Sequence, residues 1–537
     1  MAAFKEELEI KPTVEQEAED APFVDGSLTF VKGVVAPFNG RIAGVTSPIR
    51  RGRDGERITI GTVAHMRTHE GAAAVEAAHE AFGKGQGAWP TAAARDRFRA
   101  VELYMEELEE VREEIVKVLQ WEICKTTADA TKEFDRTMDF VKEVLKKASS
   151  SECFLFHDWT TIDGVRGKVR RGPVGVVLMV APFNYPLNEM YAMMLPALLM
   201  GNTIVLKLPT IGGLAHVLTI PALRKAFPPG VVNFVTGTGR STLPPIMESG
   251  KIDMIGFIGG TRAMDALIKD HPEPHRLKVF SQLEGNNMAI ILRSADLDVA
   301  VKEVLAGTTS YNGQRCTAVK VVLIHSSIAD DFVEKFTTEL EKLPIGLPWT
   351  ENVKITPLPD DDKPAYLSAL VEDAVEKGAR VVSGGTKAYT LVTPTLLYPV
   401  TPEARVFHEE QFGPVIPVAP FDDVDFVLQQ AATSWSGQQA AIFGDSQDDD
   451  DVPKLVDGLQ AILGRININT APSRGPDLFP FSGRRSSAMG TMSVTHAIDA
   501  FSVETVIAFK DSLQNQAVAD RLDNDTNFLK PTLSSPP

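Results

Sequence analysis

Residues 172–209 read GPVGVVLMVAPFNYPLNEMYAMMLPALLMGNTIVLKLP. The run Val174–Val180, stopped by Pro182, shows no alternation of apolar and polar residues. That is the pattern of a strand buried on both faces of a parallel sheet. NEMYAMMLPALLMG (188–201) reads as a helix closed by Gly201. NTIVLKLP (202–209) reads as a second strand, GLAHVLTIPALRKAF (213–227) as a helix, and VVNFVTG (231–237) and IDMIGFIGG (252–260) as further strands. A strand–helix–strand order of this kind implies an α/β fold with a doubly wound parallel sheet from about 172 to 285.

Upstream, GAAAVEAAHEAFGKG (71–85) reads as an Ala-rich helix. Arg95–Cys124 carries Leu103, Leu108, Val111, Ile115 and Leu119 at helical spacing and reads as one long helix. Thr126–Ala148 is a second amphipathic helix. Cys153–Arg171 alternates and contains Asp163-Gly164, a hairpin signal. Residues 1–25 are polar and are expected to be mobile. Downstream the pattern restarts. Val299–Asn312, Ile328–Lys342, Tyr366–Gly378 and Val424–Ser434 read as helices. VKVVLIHSS (319–327), FGPVIPVAPF (412–421) and GRININT (464–470) read as strands. A second α/β domain is therefore expected. DSQDDDDV (445–452) reads as a solvated loop feeding a helix N-terminus near Lys454, with a metal site as the sharper alternative.

Composition narrows the function. Lys and Arg number 54 against 71 Asp and Glu, a net charge of −17, which argues against general nucleic-acid binding. Apolar residues at 44% and charged residues at 23% are ordinary for a globular chain. Three cysteines, Cys124, Cys153 and Cys316, make no disulfide framework and point to a reducing compartment. The acidic N-terminus has no apolar core of a signal peptide, and Val174–Val180 is too short to span a bilayer. The cytoplasm, without membrane attachment, is the expectation. HExxH, CxxC, the phosphate-loop frame and GxSxG are absent, so no metal centre is expected. Gly237-Thr238-Gly239 is only a fragment of a dinucleotide fingerprint.

SYNGQRCTAVK (310–320) places Cys316 between a helix and an apolar strand, beside Arg315, a cation that favours the thiolate. On this segment alone, a reactive thiol and a buried structural thiol read equally well.

Several segments occur in a fixed order: APFNYP (181–186), GNTIVLKLPT (201–210), FIGG (257–260), GQRCTAVK (313–320), EEQFGPV (409–415), and NINT (467–470) with FPFSG (479–483). Together they resemble the aldehyde dehydrogenase superfamily over about Gly71–Asp511. Within it they are most like the branch of NADP-dependent non-phosphorylating glyceraldehyde-3-phosphate dehydrogenases. The separations of 23 residues from Asn184 to Lys207 and 34 from Gln282 to Cys316 match that family's intervals.

The resemblance implies a cysteine thioester mechanism with Cys316 as nucleophile. Asn184 and the Cys316 backbone N–H match the oxyanion hole; read alone, Asn184 is also a plausible turn residue. Lys207 matches the lysine on the adenosine ribose. Thr210 stands where NAD-preferring relatives carry an acid, so NADP is the implied cofactor. Glu410 matches the residue on the nicotinamide ribose, and Phe412 borders the nicotinamide; a structural acid and a core Phe are the plain alternatives. Pro182, Phe183, Gly237, Gly259 and Gly260 fall at further cofactor positions. Arg136, Arg315 and Arg474, with Tyr185 and Thr317, match the positions that receive a phosphorylated aldehyde. Singly, each Arg is as well read as a surface charge.

One departure is serious. The family's Glu-Leu-Gly-Gly is Gln282-Leu283-Glu284-Gly285 here. Gln282 cannot accept a proton at neutral pH. Glu284, about 6.8 Å further along an extended segment and on its same side, could reach the cavity if the backbone shifts. Otherwise Gln282 orients water for slow hydrolysis, or phosphate or coenzyme A takes the acyl group. Ile258, Gly260 and Met264 are smaller departures. The implied reaction is oxidation of D-glyceraldehyde 3-phosphate to 3-phosphoglycerate. The alternatives are an acylating or broader aldehyde dehydrogenase and a non-catalytic subunit of the same fold. The implied architecture is a cofactor-binding domain (1–153 and 172–283), a catalytic domain (284–498), oligomerisation strands (154–171 and 499–515) that build a homotetramer, and a C-terminal tail (516–537). Cys124 and Cys153 match no chemistry and are expected to be structural.

Overall fold

In the computed structural model, residues 4–5, 8–14, 20–52, 55–149, 158–445 and 450–529 are described. The first α/β unit is built on β1 (Val176–Val180), β2 (Thr203–Lys207), β3 (Val232–Val235), β4 (Met254–Ile258) and β5 (Lys278–Gln282). These strands lie in the order β3-β2-β1-β4-β5, all parallel. The chain thus leaves β1 first to one side and then to the other. In such a sheet, ligands sit at the carboxyl ends of the two strands flanking the reversal, here β1 and β4. Ala488–Met489 adds an antiparallel edge to β5.

The helices follow from the sequence pattern. α1 (Thr127–Ser149) is amphipathic, and α2 (Asn188–Leu199) is buried on all sides except at Glu189, as its unbroken apolar sequence requires. α3 (Thr261–Asp270) follows β4, and α4 (Leu297–Thr309), capped by the Asp296 side chain, is the first helix of the second unit. The second unit has a seven-stranded sheet around β6 (Asn287–Ile291) and β7 (Val319–His325). The Asp163-Gly164 turn has positive φ at both residues, 52° and 77°, as a two-residue hairpin turn demands. It joins Thr160–Ile162 to Val165–Pro173, and Ser502–Lys510 pairs with the latter over its full length. Cys153 and residues 154–157 of the expected hairpin lie outside the described residues, as do 446–449 of the acidic loop.

Several expectations need correction. Arg95–Cys124 is two helices, Ala94–Glu109 and Arg112–Ile123. The apolar period carries on across Val111, so periodicity cannot register the change of axis. The acids Glu113 and Glu114 suit a new N-terminus. Residues 213–227 also divide, into Leu214–Val217 and Ile220–Ala226, because Pro221 starts a helix rather than continuing one. The N-terminal segment is not wholly free: Phe4 is buried in the core of the second unit, and Lys5 bridges to Thr386. The C-terminal tail contains a helix, Leu513–Asp525, whose Asp523 accepts hydrogen bonds from Lys168 and Trp159 of the hairpin region. Phe481, Met492, Val494, Ala497, Ile498 and Phe501 pack in the core of the first unit rather than the second.

Candidate active site

The carboxyl ends of β1 and β4 and the mouth of the second unit enclose a cavity of about 1110 Å³. Every site residue named from the sequence lines it except Gly237. Gly237 (φ 92°) lies against the chain at Met66, where a Cβ would come within 2.7 Å of a carbonyl oxygen. Gly239 lines the cavity instead.

Cys316 is presented by a tight turn between α4 and β7. Tyr311, Asn312 and Gly313 all have positive φ, an arrangement costly for the first two. Side chains hold it: Asn312 Nδ2 donates to the Thr356 carbonyl at 3.0 Å, and the Tyr311 hydroxyl donates to the Ile123 carbonyl at 2.9 Å. Asn287 Nδ2 donates to the Cys316 carbonyl at 2.6 Å and fixes the residue from behind. Gly285 passes so close that a Cβ would lie 2.8 Å from that same oxygen. Asn184 Nδ2 donates to the Gln314 carbonyl at 2.9 Å, two residues before Cys316. An amide has two N–H groups, so one remains for a ligand oxygen.

Electrostatics around Cys316 contradict the expectation that Arg315 favours its thiolate. The Arg315 guanidinium turns away and donates to the carbonyls of Ala306 and Gly307. Burial, followed by the charges of Glu189 and Glu410, pushes the Cys316 thiol up to about 12, against a smaller pull from Lys320 and Arg474. The resting group is therefore the thiol. Iodoacetamide labelling of Cys316 in cofactor-free protein, followed by peptide mass spectrometry, is expected to speed up about tenfold per pH unit through pH 10. A plateau near pH 9 would mean that the thiol is unperturbed.

At the cofactor end, Lys207 closes β2. Its buried ammonium donates to the Leu208 carbonyl, and burial lowers its pKa to about 8. Glu410 accepts from the Gly285 N–H and lies 3.6 Å from Lys320. Phe412 packs edge-on against Phe183, with ring centroids 5.7 Å apart. Lys320 and Lys363, both unnoticed in the sequence, stand 4.9 and 5.9 Å from the Phe412 ring. Lys320 had a signal: it lies four residues after Cys316, inside GQRCTAVK. Gln282 ends β5, and both atoms of its buried amide lack a hydrogen-bond partner. Glu284 lies beyond the strand and accepts from the Thr261 N–H at 3.0 Å, so its carboxylate closes the N-terminus of α3. The strand-end lysine and the Gly259-Gly260 turn fit an anionic dinucleotide, while the N-terminus of α3 is taken by Glu284, which a phosphate there would have to displace.

At the opposite end, Arg136 forks onto Asp477 at 3.0 and 2.7 Å, and Arg474 pairs with Glu189. Beneath them lies a fully buried ion pair, Lys125–Glu133. Glu133 accepts from the Leu187 and Asn188 N–H groups, and the Lys125 ammonium sits 3.5 Å from the Tyr185 ring centroid. Among the described residues, no cluster of three or more metal-ligating side chains occurs, and no helix is long and apolar enough to cross a membrane.

The aldehyde dehydrogenase family model matches residues 49–507. An NADP-dependent glyceraldehyde-3-phosphate dehydrogenase of Streptococcus equinus is 36% identical over 395 residues, covering 72% of this chain and 81% of that protein. The protein of the same name from Pisum sativum is 34% identical over 402 residues, covering 73% and 78%. The crystal structure of the Bacillus halodurans C-125 NADP-dependent glyceraldehyde-3-phosphate dehydrogenase, complexed with NADP, superimposes with a TM-score of 0.82. It is 30% identical, and the match covers 91% of this chain and 100% of that one.

Proposed function

The chain belongs to the aldehyde dehydrogenase family, and we propose that it oxidises D-glyceraldehyde 3-phosphate to 3-phosphoglycerate with NADP. The enzyme is an NADP-dependent aldehyde dehydrogenase. The observation that carries the substrate is the convergence of Arg136, Arg315, Arg474 and Tyr185 on the cavity that holds Cys316. Against a net charge of −17, such a cluster is what would draw in a dianionic phosphate.

In this reading the Cys316 thiol gives up its proton to water in the cavity as its sulfur attacks the aldehyde carbon. The spare Asn184 N–H and the Cys316 backbone N–H receive the developing oxyanion. Bound NADP supplies the hydride acceptor. Lys207 and Thr210 would hold its adenosine end, where a Thr rather than an acid leaves room for a 2′-phosphate, and Glu410 and Phe412 would border the nicotinamide end. A thioester on Cys316 remains. Gln282, with its amide unengaged, orients a water, and Glu284 leaves the Thr261 N–H to take that water's proton.

A burst assay with D-glyceraldehyde 3-phosphate and NADP⁺ tests substrate, cofactor and hydrolysis together. A burst of NADPH followed by steady turnover is expected. NADPH from other aldehydes but none from this one would refute the substrate. Glu284→Gln is expected to spare the burst and to slow turnover roughly 100- to 10,000-fold; unchanged turnover removes Glu284 as the base. A second reading, transfer of the acyl group to phosphate or coenzyme A, is favoured by the inability of Gln282 to accept a proton. Turnover that requires either acceptor would establish it.

The hairpin and Ser502–Lys510 form a three-stranded sheet whose edges pair with no further strand among the described residues. Pairing of those edges between subunits would build a homotetramer, or a dimer if only one edge is used. A nucleophilic thiol suits the reducing cytoplasm.

A further inference from the structure

The arginines of the substrate end already have anionic partners. The Arg474 side chain is only 6% exposed. Its Nη1 pairs with Glu189 and donates to Asn188 Oδ1 at 3.3 Å, and its Nε lies 3.5 Å from Asp477. Its Nη2 is buried without a partner. Arg136 spends Nε and Nη2 on Asp477. Arg315 spends Nη2 on main-chain carbonyls, and its Nε is buried without a partner.

The two carboxylates differ in place. Asp477 is not among the residues lining the cavity and holds both arginines from outside it. Glu189 lines the cavity, in the first turn of α2, where a carboxylate suits the helix N-terminus. It precedes the apolar run MYAMMLPALL and is the one residue of α2 that is not fully buried, so packing of α2 does not call for an acid there. An anion entering the cavity competes with Glu189 for Arg474 and meets a like charge beside it. An uncharged aldehyde meets neither cost.

We propose that Glu189 is a specificity-determining residue: by taking up charge of Arg474 inside the substrate site, it sets how strongly the enzyme prefers a dianionic to an uncharged aldehyde. The inference rests on the substrate reading above. It predicts a tempered preference, with measurable oxidation of unphosphorylated aldehydes.

Glu189→Gln keeps an oxygen acceptor for Arg474 Nη1 and removes the charge. The ratio of kcat/KM for D-glyceraldehyde 3-phosphate to that for D-glyceraldehyde is expected to rise roughly tenfold, through a lower KM for the phosphorylated substrate. Binding of sn-glycerol 3-phosphate, which has no aldehyde to react, is expected to tighten in parallel by calorimetry. An unchanged ratio, or one that falls because Arg474 loses its place, overturns the proposal. Glu189→Ala provides a second variant with the same expected sign. If neither aldehyde is oxidised by the wild-type protein, the substrate reading fails; the glycerol phosphate titration still decides the role of Glu189.

Discussion

Replacing Cys316 with alanine is expected to lower NADPH formation from D-glyceraldehyde 3-phosphate by roughly ten-thousand-fold or more, while NADP⁺ still binds. The reason is chemical rather than structural. No other thiol of the described residues lines the cavity. Cys124 is fully buried, ends the Arg112–Ile123 helix in a left-handed conformation, and has its thiol pushed up by burial. The position of Cys316 depends on its backbone, held through Asn287, so loss of the sulfur leaves the turn intact. Single-turnover absorbance of NADPH, with binding followed by fluorescence, separates the two effects. Retention of more than about one hundredth of the burst would place the nucleophile elsewhere.

Lys125→Met is expected to cost about 3–5 kcal/mol of stability, because it strands the Glu133 carboxylate in the interior. Both side chains of this pair are 0% exposed. Burial lowers the Lys125 pKa, and Glu133 is the main group that opposes the shift. Once unpaired, Glu133 keeps its contacts to the Leu187 and Asn188 N–H groups but has no cation beside it, and the strain falls on the loop that it holds. Asn184 and Tyr185 stand at the start of that loop, so kcat is expected to fall as well. Denaturant unfolding gives the stability change. Adding Glu133→Gln to the variant is expected to restore part of the loss, since the buried charge is then gone. A loss below about 1 kcal/mol for the single variant would show that water reaches the pair.

The sheet of the first unit was legible because its strands are buried on both faces and its helices alternate with them; the order β3-β2-β1-β4-β5 was not, since alternation alone allows several doubly wound orders. The helix breaks at Val111 and Pro221 were not, since a change of axis leaves the apolar period intact or hides in a single proline. The residues around Cys316 were legible through a run of ordered segments, each short but jointly specific. What escaped were pairings. Lys125 and Glu133 are eight positions apart, across a helix boundary, and nothing local marks them as buried. Asn188 and Arg474 are 286 apart. Glu189 reads as the polar end of a helix until Arg474 is seen beside it. The Arg315 side chain shows the reverse error: adjacency in sequence to Cys316 suggested a contact that the guanidinium does not make.

Arg136 and Asp477 lie 341 positions apart. At roughly 5–20 residues per second, a ribosome needs about 17–70 s to travel from one codon to the other. Once Gln282 has been added, the nascent chain has all five parallel strands of its first sheet but not the Ala488–Met489 strand that covers the β5 edge, nor the Val494–Ala500 helix, whose Val494, Ala497 and Ile498 belong to the first unit's core. A messenger truncated before this last segment therefore yields a protein with an open sheet edge and an exposed apolar face, not a half-active enzyme. The two α/β units look separable on a topology diagram, but the returning chain makes them one product of translation.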